Sequence, residues 1–433
     1  MSKNESTRSV LKKIVYYVSV ELASPVSISK GDGTLTDSDV LVNGDGMPFI
    51  PGSSLVGAMR DYIGKVKSED CIFGYEDMEY QKGRMSSLYV SDLYFDTATS
   101  VVIRDGVSLD DKKTAIAGEK FDMEVLDTGA KGHFWIEFVS REKDDEAFKK
   151  ELEQIFNGWR EKEIRLGSKK TRGFGEVSLL SVKKKEFDEK NILSDYKNVY
   201  SHTAEEYAKW DDLNIDASET KYVTVSVPLR LEGGISIRQY IAKKNEPDFV
   251  HITANGKPVI PGTSFAGAIR HRLREILIAL DVKKVDDVIE GIFGYVKIEK
   301  IGEKKEREEE IKAQISQIII SECVLEGSKE LEMVRNGISR FESGTKSGAL
   351  FKEKSYVGGT TTLEIKVKIT EFTDSIIGLL LLVLKDIQNG FLAVGGQTAI
   401  GRGLFSGNGE IKCSSPKEEK KYLEAAMVTL KRS

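Results

Sequence analysis

Two stretches of this chain share one pattern of apolar and polar positions. Ile14–Val20 (IVYYVSV) opens the first half, and Tyr222–Leu229 (YVTVSVPL) opens the second half. Side chains along a strand point to opposite faces in turn, so a period-two pattern predicts a strand with one buried face. We therefore expect each half to begin with such a strand.

A helical pattern follows each strand. The apolar residues that recur at helical spacing are Leu55, Met59 and Ile63 in the first half and Phe265, Ile269 and Leu273 in the second. They belong to a segment that we call the PG element, Pro48–Arg60 (PFIPGSSLVGAMR), which returns as Pro258–Arg270 (PVIPGTSFAGAIR) with eight of thirteen positions identical. The chain is therefore an internal duplication.

Four more paired features follow in the same order. They are Cys71–Tyr75 with Gly291–Tyr295, Val101–Ser108 with Glu332–Ser339, the strand patterns His133–Val139 with Thr361–Ile369, and two glycine-rich closing loops, Gly167–Gly175 and Gly395–Gly403. The second half also carries insertions. One of them, Glu299–Lys312, is so highly charged that we expect a solvated loop or helix.

The order strand, helix, strands, helix, strand is that of a ferredoxin-like unit. The sequence thus predicts an α+β fold with two ferredoxin-like domains in tandem. We place the domains at 1–182 and 221–413, with a linker at 183–220 and an amphipathic tail at 414–433. The apolar run Ile376–Leu384 is too short to span a bilayer and predicts a buried helix.

Composition narrows the class of protein. The 433 residues are 40% hydrophobic and 31% charged, as in a soluble globular protein. The three cysteines form no CxxC pair, which argues against a zinc site or a disulfide framework, and the N-terminus lacks a secretory pattern. We expect a cytoplasmic protein with no membrane contact. The net charge of −5 weighs only mildly against RNA binding, because a basic groove can lie on an acidic protein.

The PG element has two compatible interpretations. Ser53 or Ser54 can cap the helix that follows, and a helix N-terminus also favours phosphate. Gly57 and Gly267 lie inside these helices, where glycine costs about 1 kcal/mol relative to alanine. They indicate close approach of either the sheet or a ligand backbone. The corresponding candidates for RNA contact are Ser53, Ser54, Arg60, Thr263, Ser264 and Arg270.

The closing loops combine glycine with positive charge. Glycines let another backbone come close, and Lys169, Lys170 and Arg172 in the first loop and Arg402 in the second supply cations. Neither loop contains GK[ST], so a Walker A site is excluded. A polyanion lying over the loop fits, and a tight turn with exposed lysines is the alternative.

The loop before each PG element, which we call the pre-PG loop, differs between the halves. Gly31–Gly46 is acidic, whereas in Ala242–Gly256 Phe249 falls opposite Asp39 and Asp248 lies one place off. A loop carboxylate can bind Mg²⁺ or accept a proton, although an acidic loop can also be merely soluble. The four histidines, His133, His202, His251 and His271, show no metal spacing.

These motifs in this order resemble the RAMP superfamily of CRISPR type III effector complexes. The likeness covers nearly the whole chain twice, and it is closest to the backbone subunits that hold guide RNA, fused as a type III-D-like pair. The resemblance implies domains like the RNA-recognition motif, each with an inserted thumb hairpin that separates guide from target, here Arg104–Trp135 and Arg335–Leu363. The implied partners are crRNA, target RNA and other Cas proteins.

The resemblance also implies a Mg²⁺-dependent nuclease that acts on target RNA through an Asp of the pre-PG loop. Asp39 fits that position as catalytic residue and metal ligand, with Asp37 beside it, and Asp248 would have to replace it in the second half. Two alternatives stay open. The chain could be a scaffold that binds crRNA without cutting, or an endoribonuclease that processes crRNA by histidine chemistry.

Overall fold

A computed structural model describes residues 10–29, 31, 36–66, 71–77, 82–110, 113–141, 146–188, 191, 196, 199–215, 220–240, 247–301, 308–415 and 417–431. The chain divides into two compact units. Unit 1 comprises residues 1–104, 121–170 and 174–220, and unit 2 comprises residues 105–120, 171–173 and 221–433.

The elements of the first half alternate as the duplication predicts. Its strands are β1 (Lys12–Leu22), β2 (Phe49–Ile50), β3 (Tyr75–Asp77), β4 (Lys82–Arg84), β5 (Leu88–Val90), β6 (Leu93–Phe95), β7 (Val101–Leu109), β8 (Ala115–Leu126), β9 (Lys131–Ser140), β10 (Val177–Phe187) and β11 (Asp211–Asp212). Its helices are α1 (Gly52–Ile63), α2 (Glu146–Arg160) and α3 (Ala204–Ala208), with 3₁₀ turns at Lys170–Arg172 and Val199–Ser201.

The second half repeats this order with additions. Its strands are β12 (Tyr222–Glu232), β13 (Gly234–Ile235), β14 (Arg238–Tyr240), β15 (Phe249–His251), β16 (Thr253–Ala254), β17 (Lys257–Ile260), β18 (Tyr295–Ile301), β19 (Glu308–Gln314), β20 (Ile318–Ile320), β21 (Cys323–Val324), β22 (Lys329–Ile338), β23 (Thr345–Val357), β24 (Thr360–Lys368), β25 (Leu404–Gly407) and β26 (Lys412–Cys413). Its helices are α4 (Gly262–Ala279), α5 (Val285–Phe293), α6 (Thr373–Gln388) and α7 (Glu419–Leu430), with a 3₁₀ turn at Thr398–Ile400.

Both sheets have the strand order of a ferredoxin-like domain. In unit 1 the antiparallel order is β11-β10-β1-β9-β6-β2, with β5 also on β9, and in unit 2 it is β20-β24-β12-β25, with β26 also on β12. Each half thus places its last strand beside its first, as β-α-β-β-α-β topology requires. The predicted α+β fold with two tandem ferredoxin-like domains is confirmed.

Helices cover one face of each sheet. The alternation predicted for β1 buries Val18 and Val20 against Leu55 and Met59 of α1. In unit 2, α4 and α6 bury the apolar residues of their inner faces in the same way, and the predicted buried helix corresponds to α6. The predicted amphipathic tail forms α7, whose Tyr422 and Ala426 are buried in the core of unit 2. None of the described helices has the length and apolar character needed to cross a bilayer.

The opposite face of the first sheet is covered by the segment expected to be a linker. Strand β10 continues to Phe187, and the ring of Tyr207 stacks on Tyr17 at 4.0 Å and 4°. Trp135 Nε1 donates to the Tyr207 hydroxyl at 3.0 Å. The carboxylate of Glu137, which is 6% exposed, pairs with Lys13 at 2.7 Å.

Each half carries the inserted hairpin that the sequence predicts. β7 pairs with β8 in the first half, and β22 pairs with β23 in the second. Their bounds differ from the expected ones, because the strand that follows each hairpin, β9 or β24, belongs to the main sheet.

The charged insertion of the second half also forms a hairpin. The prediction of a solvated loop or helix is wrong for the described residues, since β18 and β19 pair from Tyr295↔Gln314 to Ile301↔Glu308. Cross-strand hydrogen bonds pair the backbone of the described residues of this segment, which the charge pattern alone does not show. Residues 302–307 lie outside the described part.

Candidate functional site

A groove of about 400 Å³ on unit 1 brings together three of the repeated elements. Helix α1, the pre-PG loop and the closing loop each contribute to its walls. The lining residues are Ser27, Ile28, Ser29, Ser38, Ser54, Gly57, Ala58, Arg165, Gly167, Ser168 and Lys170.

The groove is lined by hydroxyls and two cations. Five of its residues are serines, whose hydroxyls can each donate one hydrogen bond. Arg165 is buried and pairs with Glu176 at 2.5 Å, whereas Lys170 is half-buried and lies 3.0 Å from Asp61. Hydroxyls and lysines of this kind hold phosphate and sugar without reading bases.

The helix of the PG element is open above its glycine. Apart from the backbone of the same helix, no described atom lies within 4 Å of a Cβ built at Gly57 or at Gly267. Packing against the sheet therefore does not account for these two glycines. By contrast, a Cβ at Gly52 would lie 2.6 Å from the carbonyl oxygen of Val90, and one at Gly262 would lie 2.2 Å from that of Ile320.

The start of α1 corrects one expectation. Capping by Ser53 or Ser54 is wrong, because the N-cap residue is Pro51, whose own side chain makes no capping hydrogen bond. The helix therefore begins at Gly52, whose backbone N–H donates to Asp92 Oδ1 at 2.7 Å. Ser54 faces the groove instead, and Ser53 is exposed.

The candidate cations lie in different surroundings. Arg60 donates to the carbonyl oxygens of Phe73 and Gly74, so it holds the loop after its own helix. Lys169 has a positive φ of 53° and places its Nζ 3.7 Å from the Phe121 ring centroid. Lys170 reaches the groove and Arg172 is exposed. In the second half, Thr263 and Arg270 are exposed and Ser264 is half-buried, but Arg402 is only 8% exposed.

The acidic pre-PG loop separates Asp37 from Asp39. Asp39 is 3% exposed, and its Oδ1 accepts hydrogen bonds from the Thr36 backbone and hydroxyl, both at 3.0 Å. Asp37 is exposed and exchanges two bonds with Asp122 of β8: its N–H donates to Asp122 Oδ1 at 3.1 Å, and its Oδ2 accepts from the Asp122 N–H at 2.9 Å. Asp39 therefore shapes the turn that presents Asp37.

Carboxylates are the right donors for Mg²⁺. This ion usually takes one or two protein carboxylates and keeps several waters. Asp37 of the pre-PG loop and Asp122 of the hairpin strand β8, which their two hydrogen bonds hold side by side, fit that requirement. Within the described residues, no group of three or more His, Cys, Asp or Glu side chains is arranged to hold a metal.

The second half arranges this region differently. Asp248 Oδ2 accepts from the Lys352 N–H at 2.8 Å, so its bond to the return strand of the hairpin corresponds to that of Asp37. Phe249 occupies the position of Asp39, and the guanidinium carbon of Arg238 lies 4.5 Å from its ring centroid. The two halves thus present different chemistry at equivalent places.

Some residues of the site escape sequence reasoning. Arg165, Ser27 and Ser29 of the groove lie outside the repeated elements, and so do Arg238 and Glu353 of the second half. A signal for them exists, because Ser27-Ile28-Ser29 and Ser236-Ile237-Arg238 form another repeated element.

Comparison with known families gives one match. A family model described as the RAMP superfamily matches residues 19–178 and 237–406. No curated protein matches the chain. The matched regions cover most of both halves and contain the groove, the hairpins and the closing loops.

Proposed function

Since the chain belongs to the RAMP superfamily and contains its module twice in tandem, we propose that it is a fused, type III-D-like backbone subunit that holds the guide RNA of a CRISPR effector complex. Its partners are crRNA, target RNA and other Cas proteins. The observation that carries the proposal is the groove of unit 1, where serine hydroxyls, Lys170 and the uncovered Gly57 lie side by side. Such a surface holds a sugar-phosphate backbone while base pairing supplies specificity.

The hairpins support contact with a duplex. One face of each carries exposed apolar side chains, which are Val101, Ile103, Val107 and Leu109 in the first hairpin and Val334, Ile338 and Leu350 in the second. Apolar side chains of this kind can enter between base steps and hold them apart. This role matches the thumb that the resemblance implies.

The first half also has the groups for cutting target RNA. We assign Asp37, with Asp122, as the ligands of Mg²⁺, because Asp37 is exposed and Asp39 is buried. When bound, the ion would lower the pKa of a water and stabilise charge on the phosphate. Asp39 acts through Thr36 and fixes the turn, and Asp122 fixes the backbone of Asp37 against the hairpin.

The test of RNA holding is purification from cells that express a guide array. We expect RNA of defined length to copurify, and Lys170→Ala to weaken retention and reduce its dependence on salt, since each phosphate contact adds to the salt slope. Lys150→Ala on α2, an exposed lysine outside the groove, is the matched control. Wild-type protein that binds no RNA would refute the proposal.

The test of cutting uses labelled target RNA and the assembled complex with Mg²⁺. We expect Asp37→Asn to abolish cleavage at one position per chain with RNA binding intact, and the exposed loop residue Asp45→Asn to leave it unchanged. If Asp37→Asn and Asp248→Asn both cut normally, the chain is a non-catalytic scaffold. Cleavage of precursor RNA by the protein alone would indicate crRNA processing instead.

A further inference from the structure

The segments that form the walls of the first-half groove have equivalents in the second half, and backbone hydrogen bonds define the correspondence. The N–H of Ser168 donates to the Ser27 carbonyl at 3.0 Å, and the N–H of Gly396 donates to the Ser236 carbonyl at 2.8 Å. Each bond joins a closing loop to the segment after the first strand. Two residues further along that segment, the first half has Ser29 and the second has Arg238.

The positively charged residues lie on different segments in the two halves. Counting from Gly167 and Gly395, the first half has Arg165 just before its closing loop and Lys170 within it, and the second half has Ala393 and Thr398 at these places. The second half therefore lacks both cations of the first groove. Arg238 supplies positive charge from the segment after the first strand of that half.

Arg238 is held in place from two directions. Its guanidinium lies over the Phe249 ring at 4.5 Å, and its Nη2 lies 3.4 Å from Glu353 Oε1. The side chain keeps 34% of its surface exposed. A guanidinium that is fixed and still reachable by solvent is prepared for a bidentate contact with phosphate.

Glu353 is the centre of this arrangement. It is fully buried on β23 and accepts hydrogen bonds from Ser236 Oγ at 2.7 Å and Gln397 Nε2 at 3.0 Å. Arg335 Nε lies 3.6 Å away, so one carboxylate faces two guanidinium groups and the cluster keeps a net positive charge. Its partners come from the hairpin, the closing loop and the segment of Arg238, and it fixes all three relative to one another.

We infer that Arg238 is the phosphate-contacting residue of the second half, and that Glu353 is the positioning residue that orients it. The inference rests on the proposed function and adds that the two halves contact RNA through different residues. Where the first half presents Asp37 and Asp122, the second presents Asp248 and Lys352, beside an arginine stacked on Phe249. A metal ion is disfavoured there and a phosphate is favoured, so the second half holds its RNA without the acid at the Asp39 position.

The experiment measures binding of labelled single-stranded RNA to the full chain across a salt series. We expect Arg238→Gln to lower affinity about tenfold and to lower the salt slope by about 0.7, the value for one phosphate contact on a single strand. Arg238→Lys should keep the slope and still lose affinity, because lysine lacks the planar fork. The control is Arg230→Gln, another exposed arginine of the same half, whose guanidinium bonds Asn408.

The positioning role of Glu353 is tested by combining variants of Glu353 and Arg238. Glu353→Gln should weaken RNA binding, and the double variant with Arg238→Gln should bind no more weakly than Arg238→Gln alone. Adding Gln397→Glu to Glu353→Gln returns the carboxylate to the cluster and should restore part of the affinity even if the single variant is less stable. A purely structural role would show no such dependence on Arg238.

The outcomes separate this inference from the function beneath it. If Lys170→Ala weakens binding but Arg238→Gln binds like the wild type, the inference is overturned and the proposed function stands. If the wild-type chain binds no RNA at any salt concentration, the inference and the proposed function are both overturned.

Discussion

The backbone nitrogen of Gly52 lies 2.7 Å from Oδ1 of Asp92. A carboxylate from the loop between β5 and β6 thus accepts a hydrogen bond from the first N–H of helix α1. We expect Asp92→Ala to lower the free energy of unfolding by about 1 kcal/mol, the usual cost of losing such a contact at a helix start. Asp92→Asn should lose less, because the amide oxygen can still accept. Chemical denaturation of the two variants gives the measurement, and equal stability of Asp92→Ala and wild type would contradict it.

Gly57 should show opposite effects on stability and on RNA binding. No described atom outside the neighbouring helix backbone lies within 4 Å of a Cβ built at Gly57, so Gly57→Ala should stabilise the RNA-free protein by up to about 1 kcal/mol through helix propensity. If an RNA backbone passes over this point, the same methyl group should weaken binding. Thermal unfolding and RNA titration of one variant measure both effects.

Gly291→Ala is the matched control for Gly57→Ala. Gly291 lies inside α5 and has no described atom outside the helix backbone within 4 Å of a built Cβ, but it belongs to no groove wall described above. It should gain stability and leave RNA binding unchanged. Equal loss of affinity in both variants would show that the effect of Gly57 is not local.

The sequence predicted the architecture well because periodicity and duplication report on burial. Leu55 and Met59 of the first PG element and Phe265 and Ile269 of the second are all fully buried, as their spacing indicates. The tandem RAMP assignment is confirmed by the family match, and the type III-D-like subtype stays a prediction. The domain bounds at 182, 220 and 413 also stay predictions.

The site was harder to predict because its parts meet only in three dimensions. Asp37 and Asp39 look alike in the sequence, and only their contacts with Asp122 and Thr36 distinguish an exposed carboxylate from a buried one. In the same way, Arg402 resembles a surface cation of a glycine loop, but it is buried, with its guanidinium beside Met333. A charge pattern gives the residue type and not the direction of the side chain.

Glu137 should make the docking of the 199–212 segment on the first sheet sensitive to acid. Burial raises the pKa of its carboxyl, but hydrogen bonds from Lys13, Tyr196 and Tyr200 outweigh burial and hold that pKa below its usual value. A carboxyl with a lowered folded pKa stabilises the folded form above its unfolded pKa of about 4.3, and this stabilisation is lost as pH falls through the folded pKa. We expect the 199–212 segment to be docked at neutral pH and to loosen below about pH 4.

Tryptophan fluorescence follows this docking, because Trp135 and Trp210 both belong to the aromatic cluster around Tyr207. Glu137→Gln should show weaker docking at neutral pH and lose the acid transition. Glu186→Gln, which removes an exposed carboxylate on β10, is the control and should keep it. An acid transition that persists unchanged in Glu137→Gln would assign it to other groups.

The three cysteines should differ in reactivity toward a thiol reagent. Burial raises the pKa of the Cys323 thiol to about 12, so at pH 8 almost none of it is the reactive thiolate. Cys71 is also fully buried, whereas Cys413 is partly exposed and lies 3.3 Å from the Tyr422 hydroxyl of α7. The native protein should therefore react at Cys413 alone, and at three thiols after denaturation.

The reactivity of Cys413 also measures how well the C-terminal helix α7 is packed against unit 2. Helix α7 packs against α6, where Gly378 faces the backbone of Tyr422, and together they partly cover Cys413. Tyr422→Ala should expose Cys413 and speed its modification severalfold without adding a second reactive thiol, because Cys323 lies in the core beneath β24. Cys413→Ser in the Tyr422→Ala background should abolish the reaction of the native protein. A fast reaction that survives this substitution would mean that the tail supports the whole core of unit 2, and not only its edge.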